Sequence, residues 1–222
     1  MDKTTQMIFE NFADINNSMI VDEPNTLKTG HADDKIFGAY DHEENFPFMA
    51  FYNLKEFLGL IKMGDGVEYL EDSVVITNTA TKSSIRYYYS DSRLINFLRD
   101  RKTNEVKPSE NIKKHKADVI ATFVFEESQI KEMMKISSVM KLKKVNINIK
   151  DGKGIIRAYA DGKNDNIKFD IVGDFDGECD FTTAPEVFKI INGTYKCEVT
   201  SKYMKLIHKD IPLVYKVPRF KV

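Results

Sequence analysis

The stretch Tyr52-Asn53-Leu54-Lys55-Glu56-Phe57-Leu58-Gly59-Leu60-Ile61 decides how the chain is read. Asn53 is a strong N-cap, because its side chain can accept from an amide of the first turn. Glu56, three residues on, completes a capping box. A helix is therefore predicted over 54–62, stopped by Gly64-Asp65-Gly66. Three strands rich in β-branched and aromatic residues follow at Val67–Leu70, Val74–Asn78 and Ser84–Tyr89. One helix feeding a three-stranded meander is half of an αβ unit.

Upstream lies the other half. Met7, Ile8, Phe12 and Ile15 fall on one face of a first helix, with Thr4 or Thr5 as its cap. Short extended stretches come next at Met19–Val21, Thr26–Thr29, Ile36–Tyr40 and Phe48–Tyr52. Residues 99–116 carry few apolar side chains and read as a linker. Beyond them the pattern restarts. Val119–Phe125 is a strand, Ile130, Met133, Met134 and Ser137 mark a helix face, and Val145–Ile149 alternates with period two. Asp151-Gly152 signals a hairpin into Ile155–Ala160, and Ile167–Val172 continues the sheet. A short helix is expected from Pro185 to Asn192-Gly193. Three strands close the chain: Tyr195–Thr200, Met204–His208 and Leu213–Val217. The same order of elements occurs twice. Two similar α+β domains, 1–98 and 117–222 joined by 99–116, account for 222 residues, each with two helices on antiparallel sheets.

Composition narrows the function. Hydrophobic residues make up 42% and charged residues 30%, as in an ordinary globular chain. No run approaches the ~20 apolar residues of a membrane span. The first six residues contain no apolar signal segment. Cys179 and Cys197 have no metal or redox spacing and read as buried thiols in a reducing compartment. The net charge of −1 hides a gradient: residues 1–98 hold 8 Lys/Arg against 16 Asp/Glu, whereas the rest of the chain is basic. Such a balance differs from the strongly basic domain of a protein that grips DNA tightly. Phosphate-binding glycine loops, a nucleophile elbow and an HExxH zinc motif are all missing from the sequence. The four histidines share no motif. Asp174, Asp176, Glu178 and Asp180 surround Gly177, but an EF-hand needs Gly sixth and Glu twelfth, where this chain has Gly fourth and Pro185. No catalytic residue, metal ligand or cofactor is expected.

What remains is basic residues on helix faces. Lys55 and Lys62 are seven residues apart, and seven steps of about 100° bring them nearly into register. Lys131 and Lys135 stand at i and i+4, with Ser138 continuing that face. Lys189 stands opposite Val187, Ile190 and Ile191. On the first helix only Lys3 is basic, beside Gln6, Glu10, Asn11 and Asp14.

With these residues in view, the chain resembles the DNA polymerase sliding clamps of T-even-type tailed bacteriophages. The resemblance rests on Ile8–Asn16, on Tyr52–Ile61, and on Gly173-Asp174-Phe175-Asp176-Gly177-Glu178 followed by Gly193-Thr194-Tyr195-Lys196. The helix at 130–138 and the hairpin at Asp151-Gly152 fall in the matching order. The resemblance spans nearly the whole chain at low identity. It implies a homotrimeric ring whose helices line a central hole and whose sheets form the outer wall. Such a ring tethers the viral DNA polymerase by topology, is placed on duplex DNA by an ATP-driven clamp loader, and serves late viral transcription in the host cytoplasm. DNA carries one charge per ~1.7 Å, so a sparse lysine lining attracts it without stopping sliding. The DNA-facing residues implied are Lys3, Lys55, Lys62, Lys131, Lys135 and Lys189. Glu10 departs from the family, which tends to place a basic residue there.

Subunit contact is expected between sheet edges, which a closed ring removes from solvent. The candidates are Tyr87, Tyr88 and Tyr89 on one edge, and Ile167, Phe169 and Ile171 on the other. Leu94, Phe97, Pro218 and Phe220 are the candidates for an apolar pocket that takes partner peptides. The alternative reading is a duplicated α+β structural or interaction protein of a virion that does not bind DNA. Light scattering separates the two by mass.

Overall fold

The structure, a computed structural model, describes the whole chain apart from Asn96, Phe97, Arg101, His115, Lys116, Lys163, Asn164 and residues 220–222. The chain forms two compact units, the first comprising residues 1–33 and 37–111, the second 34–36 and 112–222.

In the first unit, α1 (Lys3–Ile15) starts at Asp2, whose carboxylate accepts from the Thr5 amide at 2.9 Å and its hydroxyl at 2.7 Å. Those bonds hold the Asp2 carboxyl down at about 2. The cap thus lies two residues before Thr4 and three before Thr5, the expected caps. The buried stripe is Thr5, Ile8, Phe9, Phe12 and Ala13. Phe9 and Ala13 replace the expected Met7, which is exposed, because the run Met7-Ile8-Phe9 lets either end face inward. Strands β1 (Met19–Val21), β2 (Thr26–Gly30), β3 (Phe37–Asp41) and β4 (Met49–Phe51) follow. β1 pairs with β4 and β2 with β3, all antiparallel.

Helix α2 (Leu54–Ile61) has Asn53 as its N-cap, as expected: its Oδ1 accepts from the Glu56 amide at 3.2 Å. Leu54, Phe57, Leu58 and Ile61 are buried. The stop after α2 is steric. A Cβ on Gly64 would lie 2.4 Å from the Ile76 methyl and 2.7 Å from the Thr77 carbonyl, so only glycine lets the chain lie against the next sheet. That sheet is an antiparallel meander of β5 (Gly66–Tyr69), β6 (Ser73–Asn78) and β7 (Ser83–Tyr88), with β7 at its edge. Phe51, Phe57, Tyr87 and Tyr89 form one aromatic cluster, with ring centroids 4.4 to 6.4 Å apart along its contacts.

The segment read as a linker makes contacts of its own. Ser109 donates to Glu23 from its amide and its hydroxyl, and the Lys107 carbonyl accepts from Lys28 Nζ. A short turn of helix, α3 (Glu110–Lys113), follows.

The second unit repeats the order with variations. β8 (Val119–Phe125) precedes α4 (Glu127–Met140), whose start is closed by Gln129 Oε1 accepting from the Glu126 amide at 3.1 Å. Next come β9 (Lys144–Lys150), β10 (Lys153–Tyr159), β11 (Asn166–Ile171), β12 (Gly173–Phe175) and β13 (Cys179–Thr183). β9 and β10 meet at Asp151-Gly152, both at positive φ (52° and 70°), the hairpin turn that Asp-Gly favours. The order β11-β10-β9-β13 leaves β11 at an edge. The expected helix at Pro185 is a single 3-10 turn, Pro185–Phe188. Val187 and Phe188 are buried there, Phe188 edge-on to Phe125. Strands β14 (Tyr195–Thr200), β15 (Tyr203–His208) and β16 (Leu213–Pro218) close the chain; β8 and β15 flank β14, and β16 pairs with β15.

Candidate nucleic-acid interface

In the first unit α2 packs beside α1, and its two lysines reach across. Lys55 Nζ lies 2.7 Å from Asp14 and Lys62 Nζ 3.0 Å from Glu10. All four side chains are more than 40% exposed, so each pair contributes little to stability, about 0.2–1 kcal/mol. Their effect is on the field: every cation on α2 has an anion beside it. The acidic residues that depart from the expected lining are the partners of the lysines that define it. Lys3, on the first turn of α1, is exposed and makes no ion pair among the described residues.

In the second unit Lys131 pairs with Glu127 one turn earlier on α4. Lys135 is exposed and makes no ion pair among the described residues. Lys189 is exposed but lies just past the 3-10 turn rather than on a helix. Lys141 and Lys143, which the sequence did not single out, are exposed at and just beyond the end of α4. Lys141 ends α4 in the left-handed conformation (φ 54°), where glycine or asparagine is the common choice. The run Lys141-Leu142-Lys143-Lys144 directly after a helix was the available signal.

Two shallow clefts lie between α4 and the 3-10 segment. One, of about 270 Å³, is bounded by Lys131, Met134, Phe188 and Asn192. The other, of about 200 Å³, is bounded by Met134, Ser138, Lys141, Lys143, Glu186 and Lys189.

The edge residues divide. Tyr88 is 62% exposed, whereas Tyr87 and Tyr89 pack on Phe51, and burial pushes both phenols up. On β11, Ile171 is buried and Ile167 and Phe169 are half-buried. Leu94 is 71% exposed and Pro218 half-buried; Phe97 and Phe220 lie outside the described residues. Both cysteines are free thiols, and burial raises the pKa of each. Asp174 and Asp180 fall on strands of separate sheets. No helix among the described residues is long and apolar enough to cross a membrane.

The fold built from these elements is that of the DNA sliding clamps. The chain superimposes on proliferating cell nuclear antigen of Entamoeba histolytica with a TM-score of 0.68 at 11% identity, over 97% of this chain and 95% of that one. It matches the DNA polymerase III β subunit of Pseudomonas aeruginosa with TM-scores of 0.63 and 0.65 in two crystal structures, at 12% and 11% identity over 93% and 98% of this chain. It spans 57% and 65% of those longer bacterial chains. In sequence it is similar to the sliding clamp of Vibrio phage KVP40, 26% identical over 208 residues, covering 90% of this chain and 89% of that protein. No protein-family model matches. The resemblance to phage sliding clamps, and the α+β clamp fold it implied, are borne out.

Proposed function

We propose that this chain is the sliding clamp of a phage replication machine, a processivity factor that encircles duplex DNA and tethers the viral DNA polymerase. The observation that carries the reading is a clamp fold spanning almost the whole chain, joined to similarity with a phage clamp over 90% of it. The function is mechanical. A ring holds polymerase to its template without tight contact, so a weakly cationic lining suits it better than a gripping one. The chain acts as a scaffold rather than an enzyme. An ATP-driven loader supplies the opening step, since the sequence holds no phosphate-binding loop of its own. Its place of action is the host cytoplasm, where phage replication occurs.

Three copies close head to tail, the β7 edge of one subunit meeting the β11 edge of the next. An antiparallel register supports this pairing. Placing Arg86 opposite Asp170 puts Ile85 opposite Ile171 and Tyr87 opposite Phe169, so charge meets opposite charge and apolar meets apolar. The acidic first half and basic second half favour contact between unlike halves.

The test is DNA synthesis on a long primed template with the cognate polymerase and loader. The expected result is longer products that require this protein, ATP and loader together. Unchanged product length would contradict the reading.

A further inference from the structure

The sheet of β9, β10 and β11 has one face against the core and one face open. Val145, Ile147 and Ile149 on β9 and Ile156 and Ala158 on β10 are buried on the side where α4 packs. The open side sets like charges directly across from one another. Lys150 stands opposite Lys153, and Arg157 opposite Lys168. Such cross-strand pairs are destabilising, and this face holds two of them. None of the four cations makes an ion pair among the described residues. Lys150, Lys153 and Lys168 are exposed. Arg157 is half-buried, its guanidinium carbon 5.2 Å from the centre of the Tyr159 ring and its Nε buried without a hydrogen-bond partner. Lys144, on the same face, is by contrast paired with Asp161 at 2.8 Å.

Between the two like-charge pairs the surface is apolar. Ile155 lies midway between Lys153 and Arg157 and is 36% exposed, and Val172, directly after β11, is 89% exposed. Both border a cleft of about 440 Å³ with Ile171 and Phe175. A Cβ on Gly154 would lie 2.5 Å from Ile171 and 2.8 Å from Phe175, so glycine is what lets those side chains close the end of the cleft. Lys153 and Arg157 are four residues apart, about 13 Å along a strand.

We propose that this open face docks an extended acidic segment of a partner protein. The segment lies along β10 with an apolar side chain in the cleft beside Ile155 and Val172. One carboxylate sits between Lys150 and Lys153 and another between Arg157 and Lys168. An extended chain presents every second side chain to one face, so the matching pattern is acidic, any, apolar, any, acidic. Each carboxylate converts a repulsive pair into a bridged one. A nucleic-acid strand fits less well, because its regularly spaced phosphates would meet Asp170, which stands opposite Ile155 in the middle of the face. The inference goes beyond the clamp reading and does not depend on it. In the proposed ring β11 pairs through its edge, which leaves this face open.

The experiment titrates the 15N-labelled full chain with a synthetic serine peptide carrying one central leucine and a glutamate two residues to either side of it, and follows the amide resonances. Shifts should cluster on Lys150, Lys153, Ile155, Arg157, Lys168 and Val172, and affinity should fall as salt rises. A peptide of the same composition with its two glutamates adjacent should bind at least fivefold more weakly. Lys153→Gln with Arg157→Gln should weaken binding at least tenfold. Lys150→Glu, which faces Lys153, should raise the thermal midpoint at low salt and also weaken binding at least tenfold; the higher midpoint shows that the variant folds. Equal affinity for the two peptides, shifts spread over other cationic surfaces, or undiminished binding by Lys150→Glu would overturn the proposal. Displacement of the peptide by a single-stranded oligonucleotide of equal charge would assign the face to nucleic acid and overturn it as well. None of these results bears on whether the protein lengthens polymerase products, so the clamp reading stands or falls separately.

Discussion

Lys28 lies fully buried on β2, a place where an ammonium is expensive unless it is paired. Its Nζ sits 2.8 Å from both Asp22 and Glu23 and donates to the Lys107 carbonyl at 3.0 Å. Burial works against the Glu23 carboxylate, but hydrogen bonds from Lys28 and Ser109 outweigh it and hold its pKa below the ordinary value of 4.5. A lowered carboxylate pKa adds stability that is complete above the ordinary value and is lost as the pH falls through the lowered one. Lys28→Ala should therefore cost about 3 kcal/mol in urea unfolding at neutral pH, by leaving two carboxylates and a carbonyl short of a donor. The variant should also lose less further stability than wild type between pH 6 and pH 3. An unchanged midpoint at neutral pH would show that the cluster is incidental.

At the scale of elements, α2 is the clearest case of local signals settling local structure. Asn53, the apolar spacing and Gly64 define it to within a residue, and Gly59 in its middle is the one departure. A Cβ there would meet nothing within 4 Å. Gly59→Ala should then stabilise the protein by about 0.5–1 kcal/mol, read as a higher thermal midpoint. A loss would mean that the helix is strained at that point. β8 and the hairpin at Asp151-Gly152 were equally legible, because strand alternation and turn chemistry are written in neighbouring residues. Features set at a distance were not. Pro185–Asn192 has the caps of a helix, and its length alone cannot separate one 3-10 turn from two α turns. Met7 and Phe9 compete for the inward face of α1, and packing decides between them. The partners of Lys55 and Lys62 lie some 40 to 50 residues away on another helix, so the stripe was visible and its neutralisation was not. Lys28 looks like any strand lysine until Glu23 and Ser109 close around it.

For the whole molecule, the proposed ring brings β7 and β11 into contact between copies. Both are edge strands whose solvent-facing side carries charge at mid-strand, Arg86 on one and Asp170 on the other. Uncovered edges of this kind invite unplanned pairing, and ring closure covers them. Arg86→Glu alone should shift the assembly from three times 25.6 kDa towards a single chain in sedimentation equilibrium, and Asp170→Arg added to it should restore the larger mass. Restoration by the double exchange would identify the pair as a direct contact, and its absence would count against this register. In the proposed ring the protein stays on DNA because it surrounds it. The most direct test loads the protein with loader and ATP onto nicked circular DNA, then cuts half the sample once and passes both halves over a sizing column. Protein should travel with the circle and be lost from the cut DNA. Equal retention on circular and linear DNA would mean that the protein grips rather than encircles, and would contradict the account.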